Sequence, residues 1–515
     1  MQYVKRSLLF NTLLLSIGVN FVLALLSYIA SCPAKAQITP DATLGDKSSV
    51  VVQDKLEGSD IDRINGGAIQ GSNLFHSFQE FNVSEGAKAY FTNPGGITNI
   101  LTRVTGSNAS NILGTLGVLG PANLFLINPK GIVFGPNALL NMGGSFVAST
   151  ADSLVFDNGL EFSATNPQAA SLLTVNIPVG LRLRENSANI VNQSSAVLYL
   201  PPTNTLALVG GNVILDGGSL QVAGGRIELG GLTGAGTVGL NIQESQGIPR
   251  VASLSFPNDV ERADISLSKQ AVVNVQGGGS GSIAINGRNV NLIEGGRLLA
   301  GIDPRFSSSG TQAGNIEINA SDRVVFSGAS SGALNQVETG GQANSGDIKI
   351  QAGSLEVSDG AQLSTSTKGI GNAGTIRITA SDQVAIDGQS VSDPRSSLFS
   401  QVEKDAVGNS GGIEINAGNV AITNGAQLSA STSGEGDAGK ISINARDQVL
   451  LDGESIYNNL SQVFSQVEQG AVGKSDGIEI NTGSLAITNG AQLSASTSGE
   501  GDAGKISITA RDQVL

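Results

Sequence analysis

Several kinds of residue are scarce in this chain of 515 residues, and each scarcity excludes a class of function. There is one cysteine, Cys32, one histidine, His76, and no tryptophan. With so few thiolate and imidazole groups, transition-metal centres and Cys–His or Ser–His nucleophile systems are nearly excluded. Only 14% of the residues are charged, which leaves few carboxylates for an acid–base pair. The sequence therefore predicts no catalytic residue, no metal site and no cofactor, and His76 is predicted to be a packed strand residue.

Positive charge is scarce as well. The formal net charge is −14, and no run of basic residues offsets it. An acidic chain of this kind is a poor partner for nucleic acid and for anionic membrane surfaces. Glycine, in contrast, is abundant: 69 residues are close to twice the usual share of about 7%. This composition predicts many turns and no nucleic-acid partner.

The C-terminal half of the sequence is built from a 65-residue repeat. Gly-Ile-Glu-Ile-Asn begins at Gly412 and again at Gly477, and Gly-Ala-Gln-Leu-Ser begins at Gly360, Gly425 and Gly490. A fixed period of this length indicates stacked supersecondary units, each of which buries its apolar face only against its neighbours. The period therefore predicts a solenoid.

The local pattern within each repeat predicts strands. Residues 413–416 and 441–444 alternate apolar with polar side chains, as half-buried strands do. Between them lie clusters of Gly, Asn, Asp and Ser, such as 431–437, which favour turns. The pattern predicts an all-β fold, a parallel β-helix with about three coils of ~20 residues per repeat and a rod of roughly 110 Å. A β-sandwich is the competing architecture, but it does not predict a fixed period.

The N-terminus has the features of an export signal. Lys5 and Arg6 precede a mostly apolar stretch, and an Ala-x-Ala site is formed by Ala34 and Ala36. We therefore predict a signal peptide over residues 1–36, with cleavage before Gln37.

Two other interpretations of the leader stay open at this point. Residues 29–32 resemble a bacterial lipobox, which would leave a lipid on Cys32, and the apolar stretch is long enough for a retained membrane anchor. If the leader is removed, the rest of the chain has no cysteine and can form no internal disulfide.

Two short patterns predict corners between strands. Asn128 and Pro129 stand at the first two positions of an Asn-Pro-Lys-Gly turn that ends at Gly131, which favours type I. Asn93 and Pro94 begin an Asn-Pro-Gly-Gly turn, in which glycine at the third position favours type II. On physical grounds alone, both patterns indicate corners and nothing further.

Four motifs follow one another in fixed order: Ser-Phe-Gln-Glu-Phe-Asn-Val at 77–83, Arg-Val-Thr-Gly at 103–106, the segment 123–132 around the first corner, and Ala-Ser-Thr at 148–150. This series resembles the two-partner-secretion domain of filamentous haemagglutinin-type exoproteins. The family pattern at the first corner is Asn-Pro-Asn-Gly-Ile, so this chain departs from it at Lys130. The family's Asn-Pro-Asn-Leu motif is echoed only loosely at the other corner.

The resemblance implies a right-handed parallel β-helix in which a secretion domain over 37–270 continues into a repeat rod over 271–515. It implies export by a signal peptide and then through an outer-membrane β-barrel transporter, whose periplasmic domains engage the N-terminal domain. The protein would be secreted or displayed on the cell surface of a Gram-negative-type bacterium. The residues that the resemblance proposes for secretion recognition are Asn93, Pro94, Asn128, Pro129, Gly131 and Ile132.

The function expected of the rod is adhesive or structural. Residues 411–450 and 476–515 differ at only five of forty positions, so outward polar residues are copied together with inward apolar ones. Repeated faces suit weak multivalent contact with host cells, neighbouring cells or glycans. The alternatives are a β-helical polysaccharide-active enzyme and the stalk of a contact-dependent toxin that lacks its C-terminal domain, because the chain is expected to stop inside a repeat.

Overall fold

The computed structural model describes residues 37–167, 173–245, 248–306, 311–389, 395–453, 455 and 459–515. The predicted signal peptide, with Ala34 and Ala36, lies outside these residues, whereas Gln37 begins the first strand. Across the described ranges the only helical segments are two short 3-10 turns, Gly45–Lys47 and Pro304–Phe306. None of the described helices is long and apolar enough to cross a membrane.

One face of the molecule is a continuous ladder of parallel strands, which we call the first face. Neighbouring strands pair in parallel along the whole series. The predicted all-β parallel β-helix is therefore confirmed. The fourteen strands are Asn73–Asn82, Asn99–Val104, Asn123–Ile127, Phe146–Ser149, Thr205–Gly210, Arg226–Gly231, Ser282–Ile293, Ile316–Ser327, Ile348–Ser358, Ile376–Asp387, Ile413–Thr423, Ile441–Asp452, Ile478–Thr488 and Ile506–Val514.

Two further faces close each coil. The second face begins with short strands and continues in the second halves of the long first-face strands; the short strands are Ser110–Ile112, Ile132–Phe134, Ile190–Asn192, Val213–Asp216 and Ile265–Ser268. The third face consists of Lys88–Thr92, Thr115–Leu119, Leu139–Asn141, Leu198–Tyr199, Ser219–Gln221, Val272–Asn274, Arg297–Ile302, Gly332–Val337, Gln362–Ser364, Ser397–Phe399, Gln427–Ser429, Gln462–Phe464 and Gln492–Ser494. A small parallel pair, Thr311–Gln312 and Ala343–Asn344, adds to one corner.

The prediction of three coils per repeat is wrong, because each repeat forms two. Ile376, Ile413 and Ile441 occupy one column of the first face, so one coil spans 376–412 and the next spans 413–440. The alternating segments at the two ends of Ile413–Thr423 belong to one strand that bends at a register irregularity between Ala417 and Asn419. Such an irregularity turns a strand round a corner without ending it. Each coil therefore holds more residues than the ~20 that the sequence pattern predicted.

Larger coils also make a shorter rod. Thirteen steps of about 4.8 Å separate the fourteen first-face strands, which gives roughly 60 Å along the stack. The predicted length of roughly 110 Å, which used the same rise per coil, is wrong for the same reason as the coil count.

The core is a set of apolar columns inside the coils. Side chains that alternate inward along each strand, such as Ile413 and Ile415, are fully buried and lie directly under Ile441 and Ile443 of the next coil. One continuous apolar cluster runs through the stack from Ile64 to Ala495. The stability of each coil thus depends on the coils above and below it.

The N-terminal part adds antiparallel structure that the sequence pattern did not predict. Four strands of residues 37–70, which we call the N-terminal cap, cover the first coil: Gln37–Pro40, Ser49–Leu56, Ser59–Gly66 and Ala68–Gln70. Five more form an outer sheet: Ser153–Phe156, Glu161–Ser163, Pro178–Leu183, Gly236–Ser245 and Ile248–Ser255. Phe75 points outward from the first face and packs against Phe156 and Phe162 of the outer sheet, and Phe125 belongs to the same apolar cluster. The outer sheet therefore buries a second apolar layer.

We expect Ile415→Ala to lower the free energy of unfolding by about 2–4 kcal/mol, since it removes a fully buried side chain from a close-packed column. The neighbouring Glu414→Ala is the control: its carboxylate forms an ion pair with Arg377 at the surface and should cost less than about 1 kcal/mol. Urea unfolding of residues 37–515 compares the two. Equal losses would contradict the assignment of inward and outward columns.

Candidate functional site

The four motifs of the resemblance lie one above another at a single corner of the helix. In the parallel register Ser77 is the partner of Arg103, Arg103 is the partner of Ile127, and Ile127 is the partner of Ser149. Four successive coils therefore contribute one motif each. We call this site the stacked corner and define it as residues 77–80, 103–106, 127–132 and 148–150.

Close packing of the backbone at the stacked corner explains one of its glycines. A Cβ atom on Gly106 would lie 2.0 Å from the carbonyl oxygen of Gln79 in the coil below. No side chain fits there unless the two coils separate. The last residue of the Arg-Val-Thr-Gly motif is thus required by stacking.

Asn128 forms the turn as predicted and also binds the preceding coil. Its Oδ1 accepts a hydrogen bond from the backbone N–H of Lys130 (2.9 Å), and its carbonyl accepts one from the N–H of Gly131 (3.0 Å). Its Nδ2 donates to the carbonyl of Asn108 (3.1 Å) and to Oγ of Ser110 (3.0 Å). All of the amide is therefore used within the fold.

Exposure differs sharply among the residues of this turn. Asn128 and Ile132 are fully buried, and Ile132 begins the second-face strand. Gly131 has a φ of +117°, a region that favours glycine. Pro129 is half-buried and Lys130 is exposed. Only Pro129 and Lys130 present side chains of this turn to a partner.

The second predicted corner forms its turn one residue later than the sequence indicates. The N–H of Ile97 donates to the carbonyl of Pro94 (3.2 Å), and Gly96 has the positive φ of +85°. Asn93 precedes the turn, and its side chain joins the turn to the next coil. Its Nδ2 donates to the carbonyl of Ile97 (3.0 Å). Its Oδ1 accepts a hydrogen bond from the N–H of Ala122 (3.1 Å), one coil further on.

The two predicted corners are not brought together. Residues 93–98 precede the first-face strand Asn99–Val104, whereas residues 128–131 follow the next one, Asn123–Ile127. The corners therefore lie at opposite ends of the face, separated by a strand of about 17 Å. The six residues proposed for recognition do not form one site.

A buried arginine holds the stacked corner, the N-terminal cap and the outer sheet together. Arg103 is fully buried, and its Nε donates to Oγ of Ser77 (2.9 Å). Its two terminal nitrogens donate to the carbonyl of Ser163 (2.9 Å) and to Oγ1 of Thr43 (2.8 Å), and the guanidinium lies 4.4 Å from the ring centre of Phe162. Burial lowers the pKa of Arg103 to about 10, so it stays charged at neutral pH.

Asp41 supplies the negative charge near this arginine. Burial alone would raise the pKa of its carboxyl, but hydrogen bonds from Thr43, Thr105 and Ser77 outweigh burial and lower the pKa. The two oxygens accept from the hydroxyls of Thr43 (2.6 Å), Ser77 (2.7 Å) and Thr105 (2.7 Å). The sequence shows Arg103 within a motif but does not reveal its role; the only signal for it is a charged residue in a strand that is otherwise mostly apolar.

A column of buried asparagines lies at the other end of the first face, at the first residue of three successive strands. Nδ2 of Asn99 donates to Oδ1 of Asn73 (3.1 Å), and Nδ2 of Asn123 donates to Oδ1 of Asn99 (3.0 Å). The last amide oxygen accepts from the N–H of Ser145 (3.0 Å). Each polar group satisfies the next, which removes the cost of burying them.

A cleft of about 580 Å³ opens beside the stacked corner, on the outer sheet. Two ion pairs line it: Arg184 with Asp152 (2.6 Å) and Arg182 with Glu161 (2.5 Å). Burial raises the pKa of Asp152, although Arg184 and Lys130 act against this. The charges that line the cleft are thus largely balanced.

Among the residues that the structure describes, no group of three or more His, Cys, Asp or Glu could hold a metal ion.

His76 is a packed strand residue, as predicted. It is fully buried, its Nδ1 lies 2.9 Å from Oγ of Ser49, and its ring lies 5.1 Å from that of Phe91. Burial lowers its pKa to about 3. The folded domain therefore holds a neutral imidazole throughout the physiological range.

This buried histidine should make stability depend on pH. Its folded pKa lies below the unfolded value of about 6.5, so stability is full above pH 6.5 and falls as the unfolded chain takes up the proton. We expect a loss of about 2 kcal/mol from pH 7.5 to 5 that is absent in His76→Gln. Urea titrations at both pH values measure it, and Ser49→Ala, which keeps the histidine, is the control. An identical pH dependence in His76→Gln would contradict a buried neutral imidazole.

Comparisons with known proteins identify the nature of the N-terminal part. The family model of the TPS secretion domain matches residues 36–285. Two solved structures are similar: the HMW1 secretion domain from Haemophilus influenzae (16% identity, TM-score 0.41, 91% of this chain and 98% of that chain) and the filamentous hemagglutinin secretion domain (15% identity, TM-score 0.28, 66% and 95%). No curated protein matches the sequence.

The family model covers the N-terminal cap, the stacked corner and the outer sheet. A TPS secretion domain implies export across the outer membrane of a Gram-negative bacterium through a dedicated outer-membrane transporter. Residues 36–285 therefore form a TPS secretion domain, which supports the interpretation of this chain as a two-partner-secretion exoprotein.

Proposed function

We propose that this exoprotein acts outside the cell as an adhesin-like rod, in which the repeat region is both spacer and multivalent contact surface. The observation that carries this proposal is the copying of outward side chains in register. Glu414 and Glu479 lie on the first face two coils apart, and so do Asn416 and Asn481. Weak contacts repeated in this way gain strength from their number. Host cells, neighbouring cells and glycans are the proposed targets.

For export, we propose that the exposed part of the stacked corner contacts the transporter's periplasmic domains. Lys130 and Pro129 offer an exposed cation beside a rigid turn, and the cleft with Arg182 and Arg184 adjoins them. Asn128 and Ile132 are buried, and Asn128 holds the turn in place by its hydrogen bonds to the preceding coil. Gly131 provides the positive φ that the turn needs. Asn93 and Pro94, at the opposite corner, would contribute a separate contact.

Two substitutions separate turn formation from recognition. Asn128→Ala should lower the free energy of unfolding by about 1–3 kcal/mol, because it leaves buried polar groups without partners, and secretion should fall with it. Lys130→Ala should leave stability within about 0.5 kcal/mol and still reduce secretion. Secreted protein is measured in cells that express the transporter, and urea unfolding is measured on residues 37–515.

Lys47→Ala is the matched control, since Lys47 is an exposed lysine of the same domain far from the turn in sequence. Secretion of Lys130→Ala at the parental level would remove Lys130 from the recognition surface. Parental secretion of Asn128→Ala, together with reduced stability, would show that export does not depend on this turn.

Deletion of one repeat tests the rod. Removing residues 412–476 takes out two coils and places Ile478 over Ile376, where Ile413 stood, so the register is kept. We expect folding and secretion to persist, the rod to shorten by about 10 Å and surface attachment to weaken only gradually. Small-angle scattering and cell-attachment assays measure these changes. Complete loss of attachment would reveal a unique site and contradict the multivalent rod.

A further inference from the structure

The third face of the rod carries a column of partly exposed apolar side chains, separated by serines in its C-terminal part. Parallel pairing places all of these residues in one outward column. In order along the stack the column consists of Leu299, Leu334, Ser364, Phe399, Ser429, Phe464 and Ser494. Its two aromatic members stand at corresponding positions of neighbouring repeats.

Phe399 and Phe464 face outward because their neighbours face inward. Leu398 and Val463 are fully buried in the core, and side chains alternate along a strand. Both phenylalanines keep part of their surface exposed. A planar apolar ring left partly exposed is suited to stacking with a ligand.

The spacing of the two rings is set by the stack. Ser429 lies between them in the same column, so the rings are two coils, or roughly 10 Å, apart. The serine between them is buried, and its Oγ accepts a hydrogen bond from Nε2 of Gln401, so the two rings are separate apolar platforms. This interval matches the repeat of a β-1,4-linked disaccharide, in which every second sugar ring presents the same face.

Amide side chains flank the two rings on one side. Nε2 of Gln401 donates to Oγ of Ser429 (2.6 Å), and Nε2 of Gln466 donates to Oγ of Ser494 (2.5 Å). These bonds fix the amides on the surface and leave their carbonyl oxygens as acceptors for hydroxyl groups.

The opposite side carries a second pair of amides. Nη2 of Arg395 binds Oε1 of Gln427 (2.7 Å) and Oε1 of Gln462 (3.3 Å), which orients both amides and leaves their NH₂ groups as donors. The two rings therefore lie between rows of amide groups, one of which also holds the guanidinium of Arg395.

We propose that Phe399 and Phe464, with the glutamines beside them, bind a neutral β-1,4-linked polysaccharide that runs along the rod axis. Alternate sugar rings stack on the two phenylalanines, and the hydroxyls at their edges bond to the amides. The net charge of −14 disfavours polyanionic glycans at the same surface. This inference rests on the proposed adhesive function and names the face and the ligand class.

The test replaces both rings with the residue that the column already holds. Phe399→Ser combined with Phe464→Ser should fold, because Ser364, Ser429 and Ser494 occupy equivalent positions. Calorimetry measures binding of residues 37–515 to oligosaccharides of β-1,4-linked glucose and of β-1,4-linked N-acetylglucosamine. We expect the affinity for at least one of them to fall about tenfold in the double variant.

Leu450→Ala is the matched control. Leu450 is a partly exposed apolar residue on the second face, in a column where Ala421 and Ala486 are its neighbours. This variant should bind as the parental protein does. Thermal unfolding of all variants confirms that the double variant is folded.

Two results would overturn the proposal: parental affinity in a folded double variant, or no binding of either oligosaccharide by the parental protein. Cell attachment by the double variant separates this failure from that of the adhesive function. If the double variant still attaches to cells but does not bind oligosaccharide, the rod is adhesive and the third face is not its contact surface. If the parental protein itself does not attach to cells, the adhesive function is rejected.

Discussion

Register between stacked coils is the constraint on which the rest of this structure depends. Side chains alternate inward and outward along a strand, so a slip of one residue would move a whole apolar column into solvent. Ile413 must therefore lie over Ile376 and under Ile441, and every corner must use the number of residues that permits this. Coils of unequal length, such as 376–412 and 413–440, still stack because the difference is absorbed in the loops between faces.

The same constraint explains how the secretion domain buries polar groups. The asparagines Asn73, Asn99 and Asn123 lie in one column, and each amide bonds to the next. Asn128 satisfies its own turn and the coil below at once, and Arg103 finds three oxygen acceptors in the cap, the first face and the outer sheet. Buried polar networks of this kind stabilise a unique arrangement only when every member has a partner.

On the outside of the rod, register converts a repeated sequence into repeated surfaces. A residue at one position of the sequence repeat recurs two coils further along the same column, as Phe399 and Phe464 do. Spacing between equivalent groups is then fixed by the backbone, with no dependence on side-chain conformation. An extended polymer with a similar repeat is the kind of ligand that such a surface suits.

The sequence by itself determined the strands, the stacking and one corner. Alternation at 413–416, the fixed period of the repeats and the Asn128 turn depend on interactions within a few residues or on exact repetition, and both are visible in the chain. Contacts between coils decided the rest. The strand that bends near Ala417 continues onto the next face, so each repeat forms two coils and not three, and the second turn begins at Pro94 and not at Asn93. The outer sheet and the burial of Arg103 join segments 60 residues apart, so only the tertiary structure brings their partners together.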